Sequence, residues 1–134
     1  MSLAPKLTAL GLALAVAVSA SAQSPDWSQA QQVSVELSNF KFTPATLTLK
    51  HGTPYRLHLS NTSSGGHNFA AKEFFAASTV MPADAAKLKG GAIDLKAGES
   101  ADIHVAPLQA GTYKLHCTHF MHSSFGMTGT IVVQ

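Results

Sequence analysis

Apolar and polar residues alternate one by one through "QVSVELS", residues 32–38. Val33, Val35 and Leu37 fall on one face, and Gln32, Ser34, Glu36 and Ser38 fall on the other. Successive side chains of a strand point to opposite faces, so this pattern predicts a strand with one buried side. The same period returns in "TLTLK" with Leu47 and Leu49, and in "YRLHLSN" with Tyr55, Leu57 and Leu59. It returns again in "IDL", "DIHVAP" and "GTYKLHC", and "GTIVVQ" closes the chain as a further strand. Phe40 and Phe42 carry the first strand's apolar parity onward until Pro44, which cannot donate to a ladder, breaks it. Between the strands lie turn signals: His51-Gly52-Thr53-Pro54, "TSSGGH" and Ala97-Gly98. Short alternating strands with turns between them predict an all-β chain, a small antiparallel sandwich or barrel with Greek-key links.

One stretch departs from this period. Residues 70–89, "AAKEFFAASTVMPADAAKLK", are Ala-rich and interrupted by Pro82, so one or two short helical turns are expected there. Phe74, Phe75 and Met81 within it are read as core residues. No internal repeat is evident.

The first 22 residues do not belong to that pattern. Lys6 precedes an apolar run from Leu7 to Val18, and Ala20-Ser21-Ala22 has the small-x-small form of a cleavage site. The run is short for a membrane span. It reads as a secretory signal cut after Ala22, leaving residues 23–134 as one domain, exported to the periplasm without a stable membrane anchor. Lys6 leaves with the signal, which takes the formal charge from +2 to +1. A near-balanced charge supplies no basic footprint for nucleic acid. The domain is expected to be a monomer.

Export sharpens the question of Cys117, the only cysteine of the chain. In an oxidising compartment a cysteine without an intramolecular partner is buried, bridged to another chain or committed to chemistry. Cys117 shares the inward parity of Tyr113 and Leu115 at the end of a strand. The stretch that follows, "HCTHFMHSSFGM", also holds three of the seven histidines and two of the four methionines. His122 stands five residues after Cys117 and Met127 five after His122. A chain that leaves a strand and turns back can bring such residues to one point. Thiolate, imidazole and thioether are soft donors that suit copper better than magnesium, calcium or manganese. A trigonal site with two imidazoles needs one more from elsewhere, and His67 in "GGHNF" is best placed. A rival set, Cys117 with His119, leaves His122 unexplained. Met121, adjacent to His122, is poorly placed to reach the same atom.

The segments "NFKFTPATLTLKHGTPYRLHLSN", "GGHNF" and "GTYKLHCTHFMHSSFGMTGTIVV" together resemble the cupredoxins, the blue-copper family of azurin, pseudoazurin and plastocyanin. The resemblance spans most of residues 33–133. It implies a cupredoxin-like Greek-key sandwich around one type 1 copper ion. His67 and His122 are then the imidazole ligands, Cys117 the thiolate and Met127 the axial thioether. Gly66 matches the residue whose carbonyl lies near the metal in azurin-like members, and Asn68 the residue that ties the two ligand loops together. The chain departs from the family in its 118–121 loop, which lacks the usual proline and carries His119 and Met121 instead.

The function implied is that of a one-electron carrier, not an enzyme, that docks redox partner proteins near His122, Phe120 and Phe125. The alternative is copper handling, as a chaperone, buffer or resistance factor. It is motivated by His116, His119 and Met121, which could form an accessory or entry site for copper. Against that, His116 precedes Cys117 and so points to the opposite face of its strand. His58 and His104 lie on outward parities and His51 in a turn, and none of the three is given a role.

Overall fold

The computed structural model of the chain describes residues 13–17, 23–119 and 123–134. The export signal expected over 1–22 lies mostly outside the described residues, and Phe120, Met121 and His122 lie wholly outside them. Among the described residues, no helix is long and apolar enough to cross a membrane.

Ten strands, counted among the described residues, form two five-stranded sheets packed face to face. In chain order they are β1 (Gln31–Ser38), β2 (Lys41–Thr43), β3 (Thr46–Leu49), β4 (Tyr55–Asn61) and β5 (His67–Ala70), then β6 (Ser78–Val80), β7 (Ala92–Leu95), β8 (Ser100–Pro107), β9 (Gly111–His116) and β10 (Thr128–Val133). The first sheet runs β2-β1-β4-β8-β6 and the second β3-β10-β9-β5-β7.

The alternating residues do what their parity demands. Val35, Leu37, Leu47, Leu49, Tyr55, Leu57, Leu59, Ile93, Leu95, Ile103, Val105, Leu115 and Cys117 are all buried between the sheets. Each large side chain removed from water contributes about 1.5–3 kcal/mol, which is why register is fixed here. The sandwich is mixed rather than purely antiparallel. β1 pairs with β4 in parallel, Val35 facing Leu59, and β3 pairs with β10 in parallel, Leu47 facing Ile131. The cause lies at Pro44-Ala45, where the chain leaves the first sheet for the second. The turn at His51–Pro54 then returns it beside β1, and a chain that leaves a sheet and comes back can re-enter in the same direction.

Four core assignments change: Val33 and Tyr113, read as inward, are only partly buried against the core, and Phe40 and Met81 depart for reasons of their own. Phe40 is 41 % exposed, because Asn39-Phe40 form the turn between β1 and β2 and Phe40 has φ 57°, outside the ladder. Parity resumes only at Phe42, which is buried. Met81 is half-buried, since it immediately precedes a 3-10 helix at Pro82–Lys87 on the surface of the sandwich. That helix and α1 (Lys72–Ala76) are the helical turns expected in 70–89, and Phe74 and Phe75 of α1 are buried as expected. Between them Ser78–Val80 forms β6, which no period announced. An open sheet edge at β8 supplies its pairing, Thr79 facing Ala106.

The 3-10 helix is held down by a nearly buried carboxylate. Asp84 accepts hydrogen bonds from Lys87 Nζ at 2.7 Å and from the backbone N–H of His104 at 2.8 Å, and its Oδ2 meets His104 Nδ1 at 2.8 Å. Burial alone would raise its pKa. The bonds from Lys87 and His104 outweigh burial and hold it below the ordinary carboxylate value. A carboxyl with a depressed folded pKa stabilises the fold above the unfolded pKa, about 3.9, and that contribution is lost as pH falls through the folded value. Asp84→Ala is therefore expected to cost about 1–3 kcal/mol at neutral pH. Thermal unfolding at a series of pH values checks this: the gap between parent and variant should close in acid, and a gap independent of pH would contradict it.

Candidate metal centre

Three neighbouring strands of the second sheet, β10, β9 and β5, end at one edge of the sandwich. Adjacent strands there are antiparallel, so the start of β5, the end of β9 and the start of β10 share that edge. His67 opens β5, Cys117 follows the last residue of β9, and Met127 precedes the first residue of β10. The Cys117 N–H donates to the Met127 carbonyl at 3.1 Å, which binds the outgoing and returning arms of the 116–127 loop. Gly126, with φ 92° and its carbonyl accepting from Thr128 N–H at 2.8 Å, makes the turn into β10.

Cys117 and Met127 are each 0 % exposed and His67 is 2 % exposed. Cys117 Sγ lies 3.9 Å from His67 Nδ1. A metal ion sits about 2.3 Å from a thiolate sulfur and about 2.0 Å from an imidazole nitrogen, so one ion can touch both atoms without moving either. Among the described residues no three His, Cys, Asp or Glu side chains converge to hold an ion. The third soft donor at this edge is a thioether, and His122, expected as the second imidazole, is outside the described residues.

Asn68 fastens the two strand ends together. Its Nδ2 donates to Thr118 Oγ1 at 2.6 Å, and its Oδ1 accepts from Thr118 N–H at 2.8 Å. Its own backbone N–H points at Cys117 Sγ, 3.5 Å away. Such bonds fix the orientation of a sulfur or an imidazole before any metal arrives. Gly66 lies under the ring of His119: a Cβ added there would stand 3.2 Å from His119 Cε1. The His119 ring is stacked on that of His67, centroids 6.4 Å apart and planes at 27°, while its Nε2 lies 3.5 Å from Asp94 Oδ1. His116 is half-buried on the outer face of β9. It lines a groove of about 450 Å³ with His119, Asp94, Glu73 and Lys72. Phe125 is 62 % exposed and packs on Phe40 at 5.3 Å between centroids.

Three participants escaped sequence reasoning: Thr118, Asp94 and Asn61. For Asn61 a signal existed, because the parity of Tyr55, Leu57 and Leu59 carries straight on to it. It is 1 % exposed.

The sequence model of the Cupredoxin-like domain matches residues 7–133. Comparison with curated protein sequences finds no match. Among solved structures, auracyanin B is similar at 25 % identity and a TM-score of 0.57, over 85 % of this chain and 93 % of that one. Auracyanin A of Chloroflexus aurantiacus, a blue copper protein, is similar at 20 % identity and a TM-score of 0.54, over 77 % and 99 % of the two chains. A multicopper oxidase of Pseudomonas thermotolerans is similar at 20 % identity and a TM-score of 0.65, over 84 % of this chain but 31 % of the oxidase.

Proposed function

The chain belongs to the cupredoxin-like family, and from that premise we propose that residues 23–134 form one exported domain that binds a single copper ion and carries electrons one at a time between redox partners in the periplasm. The observation that carries this reading is the buried pair of Cys117 Sγ and His67 Nδ1, 3.9 Å apart at an edge shared with the buried Met127. The donors are soft, which is the choice that favours copper. Bound copper supplies a one-electron Cu(I)/Cu(II) couple.

The protein's own part is to hold the donors still and keep water away. His67 and Cys117 are anchored on adjacent strand ends and clamped through Asn68 and Thr118, so a change of charge between them calls for little rearrangement. The Asn68 N–H, aimed at Cys117 Sγ, favours negative charge on the sulfur and so tunes the potential. His122 would complete the set in this reading, with the Gly66 carbonyl near the metal as the family resemblance implies. Four protein donors leave no open position for a substrate, the vacancy that catalytic metal sites keep, and on that ground the domain is a carrier rather than an enzyme. The blue copper protein of Chloroflexus aurantiacus supports the reading through its fold alone. The oxidase supports it less, because this chain spans only 31 % of that enzyme. Redox partners meet the edge near His122, Phe120 and Phe125, and the domain acts as a monomer.

Loading the mature protein with Cu(II) tests the proposal. The expected result is intense blue or green thiolate charge transfer with a reversible potential. A colourless protein that binds Cu(I) tightly and passes it to an acceptor would establish copper handling instead.

The choice of imidazole has its own test. His119 directs its Nε2 toward Asp94 at the surface. His119→Ala is therefore expected to leave the absorption nearly intact, whereas His122→Ala abolishes or reshapes it. Equal losses from the two variants would refute the assignment.

A further inference from the structure

Asn61 ends β4 with its side chain inside the sandwich, 1 % exposed, and that side chain has five polar contacts within hydrogen-bond distance, two N–H protons being shared among three carbonyls. Its Oδ1 accepts from the N–H of Ser63 at 3.0 Å and from Ser63 Oγ at 2.8 Å. Its Nδ2 faces three carbonyl oxygens, Gly65 at 2.8 Å and Leu95 and Lys96 at 3.1 Å each. The orientation of the amide is settled by its partners: a backbone N–H can only donate and a carbonyl can only accept.

Two of these partners adjoin His67, one along the chain and one across the sheet. Gly65 precedes it by two residues in the loop that delivers it. Leu95 faces it across the β5–β7 pair. Ser63 Oγ also lies 2.9 Å from the Gly65 carbonyl, so its single proton is shared between that oxygen and Asn61 Oδ1 and the loop closes upon itself. One carboxamide thus grips the segment that brings His67 in and the strand against which His67 lies. No other uncharged side chain of that size offers two donors and an acceptor at one place. Aspartate, nearly the same shape, would turn a carboxylate toward three carbonyl oxygens.

We propose that Asn61 is the positioning residue for the His67 imidazole, holding it ready for the metal before the metal binds. The inference rests on the reading that His67 and Cys117 hold copper. Removing a side chain that orients a ligand typically lowers metal affinity 10–100-fold.

The test compares Asn61→Ala and Asn61→Asp with Leu57→Ala, a core variant that loses stability far from the loop. Three quantities are read: the affinity of the apoprotein for Cu(II) against a competing chelator, the position of the thiolate charge-transfer band, and the apoprotein amide spectrum. Asn61→Ala should weaken copper binding by about 10–100-fold and move the band. Asn61→Asp should do at least as much, and Leu57→Ala should do neither at a comparable loss of Tm. In the apoprotein, the amide resonances of residues 65–67 and 95–96 should shift or broaden in the Asn61 variants only. If Asn61→Ala does not fold, Asn61→Ser keeps one hydroxyl and should show a smaller change in the same direction. Parent-like affinity and band position in a folded Asn61 variant would overturn the proposal. A parent protein without a thiolate band would overturn the copper reading instead, and the apoprotein spectra would still decide whether Asn61 orders the loop.

Discussion

Cys117→Ser is expected to erase the visible absorption of the copper-loaded protein completely. The band is a transfer of charge from sulfur to metal, and Cys117 is the only sulfur that can ionise in this chain. A serine hydroxyl keeps its proton near neutral pH and is a hard donor, so any copper retained by His67 and its partners is left pale and without a reversible potential. The side chain is 0 % exposed, and burying a hydroxyl in place of the thiol costs about 1–3 kcal/mol by mutational measure. That is a tolerable loss for a sandwich whose two sheets are otherwise untouched. Far-UV circular dichroism should therefore match the parent while the visible spectrum vanishes. An intense band that survived the substitution would show that Cys117 is not a copper ligand, and the electron-carrier reading would fall with it.

Parity explains why so much was legible. A strand buried on one face must place every second residue inside, so the core from Val35 to Cys117 could be read directly, and with it the inward sulfur. Parity fails where the backbone leaves the ladder. Phe40 sits in a turn at φ 57°, and the alternation that ran through "NFKF" on paper is broken there in space. Pairing partners are not written in the alternation at all. The parallel pairs β1–β4 and β3–β10 follow from the order in which the chain changes sheets, and β6 exists because β8 offers an open edge to a three-residue segment. The site divides in the same way. Cys117 and Met127 could be located because spacing and turn residues are local facts. The resemblance points to Asn68 as the tie between the loops, but its partner Thr118 lies 50 residues away and the Asn61 cage reaches across to β7, 34 residues on, so both pairings depend on contacts between distant segments. His119 was conspicuous for its type, yet its place over Gly66 and beside Asp94 is set by the fold.

Phe69→Ala should be the most destabilising single change in the core. Phe69 is 0 % exposed and stands on β5, one residue after Asn68. Its ring meets Phe42 edge-on at 6.0 Å and Phe75 at 6.1 Å. Phe75 in turn meets Phe74 at 5.3 Å, and Phe74 meets Tyr113 at 5.9 Å. These contacts join β2, β5, α1 and β9, so the helical excursion is tied to both sheets through aromatic rings. Truncating a buried phenylalanine costs about 3–5 kcal/mol, and each edge-to-face pair contributes about 0.5–1.5 kcal/mol beyond the area it buries. The loss should lower Tm by more than about 10 °C in a domain of this size. The copper absorption of the fraction still folded should nevertheless keep its position, because the hydrogen bonds of Asn68, Thr118 and Asn61 around His67 and Cys117 are not made by the ring. Phe69→Ala and Cys117→Ser thus separate scaffold from site: the first lowers Tm without moving the band, and the second removes the band without unfolding the protein. A Phe69→Ala protein with the Tm of the parent would show that the aromatic chain does not hold the excursion to the sheets.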